Sequence, residues 1–226
     1  MITDIDSFNR KSMYLIRDTD SCSCKILDRV FYSRDTAVVA KELLGKLLVK
    51  RDENLLQSGI ITETEAYYGH DDPASHAFRG RTPRANIMFG RAGIAYVYFC
   101  YGMYYMLNAV TEREDVPGAV LIRAVLPLSG TDIMCSRRNT SDIKKLANGP
   151  GKLTTAFCIG SGDNGKDLTA AGNSPGDLTI NELTIMPDEA SILQTPRIGI
   201  SNAKEKYLRF VLKEPDRFKK LVMIGP

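Results

Sequence analysis

The chain has no apolar run as long as a membrane span, and its first residues, MITDIDSFNRKS, carry acids where a secretory leader needs an apolar stretch. Neither a membrane protein nor an exported one is expected. The five cysteines, Cys22, Cys24, Cys100, Cys135 and Cys158, are odd in number and lack the spacing of a disulfide framework or a zinc ribbon, so reduced thiols in an intracellular protein are expected. Cys22 and Cys24 form C-x-C without a second pair. The H-E-x-x-H of a zinc hydrolase and the G-x-x-x-x-G-K-[ST] of a nucleotide P-loop are both missing. No cofactor and no metal are expected.

What is present is an ordinary globular composition. The 226 residues are 43% hydrophobic and 25% charged, enough for one sizeable core. A formal net charge of +3 says little about partners, but its distribution says more. Between His76 and Arg91 lie Arg79, Arg81, Arg84 and Arg91 with no acid among them, and five of the ten tyrosines follow within residues 96–105.

Residues 1–34 are polar, mixed in charge and aperiodic, and read as a flexible or loosely docked arm before a domain over residues 35–226. Asp35 is the expected N-cap of a helix that packs Val38, Val39, Leu43 and Leu44, with Gly45 as its stop. Residues 46–50 and 60–67 read as strands joined by a polar turn, and residues 69–83 as a Gly/Asp/Pro loop that holds both histidines. Residues 94–101 and 103–110 predict two strands meeting at Gly102, with Tyr101 at a protruding tip. Residues 119–125 are a nearly continuous apolar strand interrupted by Arg123, a cation that needs a partner if it is buried and otherwise marks an exposed edge. Helices are expected over residues 131–138, 141–148 (Ser141 as cap) and 150–159, with further strands at 178–185, 195–201 and 207–213 and a short basic helix at the end. The NGPGK start of the third helix offers amides and Lys152 as a phosphate seat.

Glu63, Glu65 and Tyr67 alternate on a strand and project from one face, with same-face neighbours roughly 7 Å apart. A glutamate against an aromatic wall suits general acid/base chemistry, though a solvated polar strand face has the same pattern. Glu65, His70, Asp71, Asp72 and His76 are all possible metal ligands, but their spacing fits no common set. An aromatic at a hairpin tip flanked by arginines suits insertion between stacked bases, and a displaced base needs an aromatic pocket that Tyr67, His76 and Tyr98 would supply. A non-catalytic nucleic-acid module and a metal-dependent hydrolase using the Asp/His loop are the competing readings.

The ordered series ETEAY, a histidine eleven residues after its second glutamate, RTPR, YVYxxYGMY, LNAV, LIRA, NGPGKL and NGKDL resembles the alkyladenine (3-methyladenine) DNA glycosylase family from about residue 35 to beyond residue 210. The resemblance implies a monofunctional enzyme that flips alkylated or deaminated purines from duplex DNA and hydrolyses the N-glycosidic bond, acting without a cofactor and as a monomer in whichever compartment holds the genome. It implies Glu65 as the base that activates water and Arg123 as the group that helps hold water and phosphate. Tyr67, His76, Tyr98 and Asn108 become pocket walls, Asn108 excluding guanine by its bulk. Tyr101 becomes the intercalating residue with Met103 beside it, while Arg79, Arg81, Arg84 and Lys152 become candidate backbone contacts. A main-chain carbonyl of RIGIS, that of Ile200, would complete the water site. The fold expected is α+β: a curved, mostly antiparallel sheet with packed helices and a hairpin that enters the minor groove.

Overall fold

The computed structural model describes residues 25–52, 55–100, 102–170 and 175–224. Strands β1 (Leu47–Asp52) and β2 (Leu55–Tyr67) pair as a hairpin, as do β3 (Ala95–Cys100) and β4 (Tyr104–Val110). β5 (Ala119–Ser129) lies between β2 and β4, and β6 (Leu178–Asn181) adds to β1. The main path runs β3-β4-β5-β2-β1-β6, with every pairing antiparallel. β7 (Ile192–Thr195) pairs with β8 (Arg209–Leu212), which in turn pairs with β2.

β2 therefore changes partners along its length. Its first half pairs with β1 and its second with β8, while β5 follows the other edge. The β2–β5 register shifts between Ile61 and Glu63 and again between Glu63 and Thr64, where Glu63 faces Ala124 and Thr64 faces Ile122. Such irregularities bend a strand and re-aim its side chains. The sheet curls there, and Arg123 is the residue the register passes over.

Among the described residues five helices accompany the sheet: α1 (Arg29–Tyr32), α2 (Thr36–Glu42), α3 (Thr131–Arg138), α4 (Pro150–Ala156) and α5 (Pro215–Ile224). Asp35 caps α2 as expected, accepting from the amides of Ala37 and Val38 at 3.0 Å. Val39, Leu43 and Leu44 are buried under it, whereas Val38 faces out. The main core joins these to Leu48, Ile61, Leu107, Ile122 and Phe157. Burial of each such side chain contributes about 1.5–3 kcal/mol. A separate apolar cluster, Met88, Phe89, Tyr96, Val110 and Ala119 among it, underlies the site described below.

Several expectations need correcting. The packed body begins before residue 35: Ile26 bridges to Asn181, Leu27 and Tyr32 are buried, and Arg29 pairs with Asp167 at 2.5 Å. Residues 55–58, read as a turn, extend β2 because β1 and β5 satisfy their backbone groups. The helix expected over residues 141–148 is one 3-10 turn, Ile143–Lys145, capped by Asp142 and not Ser141. Residues 196–203 form bends and irregular backbone instead of a strand, and the strand in that region is β7. Among the described residues no helix is long and apolar enough to cross a membrane. Cys22 and Cys24 lie outside them.

Candidate active site

Strand alternation carries Glu63, Glu65 and Tyr67 to the same side of β2, and the skipped position in β5 brings Arg123 opposite them. Glu65 is fully buried and accepts three hydrogen bonds. Tyr67 Oη donates to Oε2 at 2.8 Å, Arg123 Nη1 to Oε2 at 3.1 Å, and the Ile198 amide to Oε1 at 2.8 Å. An ionised carboxylate offers about four lone-pair directions, so these donors orient it and leave one for a further proton.

Arg123 is partly buried and paired, not placed at an exposed edge. Its Nε meets Glu63 Oε1 at 2.6 Å, and the Nε of Arg209 meets that same oxygen at 2.6 Å. Burial alone would raise the Glu63 carboxyl, but the hydrogen bonds and charges of Arg209 and Arg123 outweigh it and hold the group below the ordinary carboxylate range. The Tyr67 phenol is pushed well above its ordinary value, by burial first and then by the Glu65 charge, so it stays protonated and keeps donating.

Beside this cluster opens a slot of about 150 Å³. Tyr67, His76, Tyr98 and Asn108, the four expected walls, all line it, together with Tyr96 and Ile200. The His76 and Tyr98 rings meet edge-on with centroids 4.7 Å apart, and Tyr96 and Tyr98 lie 5.1 Å apart. His76 Nδ1 is 2.8 Å from the Tyr96 hydroxyl. A hydroxyl both donates and accepts, so this contact fixes the orientation of the ring with either imidazole tautomer. Burial and then the Arg84 charge lower the His76 pKa, keeping the ring neutral. Asn108 is buried with its Nδ2 donating to the Tyr96 carbonyl at 3.0 Å, so its side chain is fixed in the slot wall. A larger depression of about 420 Å³ lies between residues 186–191 and α5, and none of these groups lines it.

A buried carboxylate held by an arginine thus adjoins an aromatic slot on one curled sheet. The methylpurine-DNA glycosylase family model matches residues 30–216. The chain belongs to that family. Its enzymes are hydrolases of N-glycosyl bonds. A protein provisionally assigned as a 3-methyladenine DNA glycosylase from Methanoculleus marisnigri is 46% identical over 189 residues, covering 83% of this chain and 95% of that one. Similar proteins with the same provisional name come from Ehrlichia chaffeensis (46% identity, 84% and 94% covered) and Clostridium acetobutylicum (44%, 83% and 94%).

Within this glycosylase the other expected residues divide. The β3–β4 hairpin turns at Gly102, whose φ of 65° is in the left-handed region, and Met103 beside it is 67% exposed. Tyr101 lies outside the described residues. Of the cations, Arg81 pairs with Asp115 and stacks on Phe89, while Arg84 lies 4.7 Å over Tyr98 and donates to the Phe99 carbonyl at 3.0 Å. Arg79 is exposed. Lys152 donates to Asn148 at 2.8 Å, and α4 has only seven residues. The second glycine of NGPGK has a packing reason instead, since a Cβ at Gly151 would stand 2.6 Å from Tyr104 Cγ.

Sequence reasoning did not reach four participants: Tyr96 as the partner of His76, Arg209, Arg197 and the Ile198 amide. The RIGIS residue that meets Glu65 is Ile198, through its N–H, while Ile200 lines the slot. Asp72, a possible metal ligand by residue type, has both oxygens engaged by Arg197 and by the amides of Tyr68 and Ala74. An arginine inside TPRIGIS was the available signal for that pair.

Proposed function

We propose that this glycosylase excises alkylated and deaminated purines, 3-methyladenine and hypoxanthine among them, from duplex DNA, by flipping the nucleotide so that the base enters the tyrosine/histidine slot. The observation that carries the reading is Glu65, a buried carboxylate held by three donors with one acceptor direction left, next to a slot of purine-like aromatic character. A flipped purine would stack between Tyr67 and His76, with Tyr98 at its edge and Asn108 opposing a 2-amino group. Water, held by Glu65 and Arg123, attacks C1′ of the sugar as the C1′–N bond breaks. The base leaves with the bonding pair, and Glu65 accepts the water's proton. The carboxylate's charge also favours the oxocarbenium character that develops on the sugar.

No lysine lines the slot among its described residues, so the reaction is taken to end at an abasic site without a Schiff base. The hairpin with Tyr101 and Met103 would enter the minor groove and fill the gap left by the flipped nucleotide, and Arg123 would also meet the adjacent phosphate. Arg79, Arg81, Arg84 and Lys152 are the proposed backbone contacts. Every group invoked belongs to one chain, which fits a monomer acting wherever the genome lies.

The test is base release from duplexes carrying 3-methyladenine, 7-methylguanine, hypoxanthine or ethenoadenine, run with a strong chelator and with borohydride present. Free base, an alkali-labile strand and no trapped covalent complex are expected. Tight duplex binding with no base released from any substrate would leave only a binding module.

A further inference from the structure

Asp72 and Arg197 form an ion pair that the steps above do not use. Both side chains are completely out of solvent. Arg197 Nη1 and Nη2 reach the two carboxylate oxygens at 2.6 Å each, the parallel fork that only a guanidinium makes. The carboxylate also accepts from the amides of Tyr68 at 3.1 Å and Ala74 at 3.3 Å, so it fixes the start of the loop that carries His76. The guanidinium donates to the Ala66 carbonyl at 3.0 Å and lies 4.6 Å from the centre of the Tyr67 ring. The residue after Arg197 is Ile198, whose amide binds Glu65.

Stability is a poor account of this arrangement. A buried ion pair often contributes no more than apolar residues of the same volume, and here the Nε of Arg197 is buried without a partner. What the pair supplies is direction. One rigid fork fastens the His76 loop, backs the Tyr67 wall and sets the Ile198 amide on Glu65, three components that come from two segments 125 positions apart in the chain.

We infer that Asp72 and Arg197 are positioning residues for excision: they hold the Glu65 carboxylate and the Tyr67 wall in register without meeting the DNA. The inference rests on the glycosylase reading and goes beyond it. A lysine at position 197 keeps the charge but has no fork, so it cannot bind both oxygens, the Ala66 carbonyl and the ring face together. Misplacing reacting groups by about 1 Å costs on the order of 100-fold in rate.

The experiment uses the full chain, a methylated duplex, enzyme in excess and three proteins: wild type, Arg197→Lys and Arg197→Ala. For Arg197→Lys the single-turnover rate is expected to fall about 100-fold while the duplex Kd moves less than about threefold, a split that a general loss of folding would not give. Added guanidinium, and not ammonium, is expected to restore at least about tenfold of the rate to Arg197→Ala by refilling the fork. Arg197→Lys keeps the test decisive where the alanine variant fails to fold. An Arg197→Lys rate equal to wild type, or a rate loss matched by equal losses of folded fraction and duplex affinity, would overturn the inference. Absence of base release by the wild type would instead sink the glycosylase reading.

Discussion

Replacing Glu65 by glutamine separates the chemistry of the site from its architecture. The side chain keeps its shape, but an NH₂ group now stands where a carboxylate oxygen accepted. Tyr67 can rotate its hydroxyl to accommodate this, whereas the Ile198 amide and Arg123 are donors only. Arg123 retains Glu63 at 2.6 Å, so its charge is not stranded. The fold should therefore lose about 1–3 kcal/mol, the usual cost of one mismatched buried hydrogen bond. Set against an ordinary stability of about 5–15 kcal/mol, that leaves more than about nine molecules in ten folded. Loss of the proton acceptor costs about 10²- to 10⁴-fold in rate, or about 3–5 kcal/mol of barrier. The two effects differ in size and in readout. Single-turnover excision from a methylated duplex, scored as alkali-labile strand, should fall by at least about a hundredfold while the duplex Kd is nearly unchanged. A folded Glu65→Gln protein that works within about tenfold of wild type would refute the assignment of Glu65 as the base.

Three further outcomes follow from the same geometry. Tyr96→Phe removes the hydroxyl that holds His76 Nδ1 at 2.8 Å and frees the imidazole to turn, so the ratio of hypoxanthine to 3-methyladenine excision should shift, as a two-substrate competition would show; an unchanged ratio would show that the contact does not orient the ring. Gly151→Ala drives a Cβ into the Tyr104 ring and should cost about 1–3 kcal/mol, lowering Tm by about 2–12 °C in a thermal melt; an unchanged Tm would show that α4 can move away. The pH dependence of stability has two parts. Glu63 and Asp163 sit below the ordinary carboxylate range: burial opposes this, but Arg209 and Arg123 around Glu63, and Lys166 and Lys50 around Asp163, prevail. Their contribution is thus complete above about pH 4.5 and lost as pH falls through their folded values, while the depressed His76 subtracts stability below about pH 6.5, where the unfolded chain takes up a proton that the folded chain refuses. Urea midpoints should fall modestly from pH 7 to 5 and steeply below 4.5; a flat profile would contradict the pairing.

Much of the site was legible because its signals are local. Period-two alternation was enough to put Glu63, Glu65 and Tyr67 on one face, and the Gly102 interruption was enough to mark a hairpin tip, since each depends on geometry within a few residues. The Asp35 cap belongs to the same class. Arg123 was visible as an anomaly, a cation in an apolar strand, although only the β2–β5 register explains how it reaches the glutamates. The misreadings also have physical reasons. Residues 141–148 have a helical pattern but form only a single turn, and residues 55–58 look polar yet join β2, because backbone partners supplied by distant strands override local preference.

By itself, then, the sequence determined the elements: strand faces, caps, the hairpin, and an ordered motif series specific enough to identify a methylpurine-DNA glycosylase. Tertiary structure alone decided which of those residues touch. The Arg197–Asp72 fork spans 125 positions and the Ile198 amide reaches Glu65 across 133, distances at which no periodicity carries information. Whether a buried arginine is tolerated depends on the carboxylate that the curled sheet brings to it, and that partner exists only once the chain has folded.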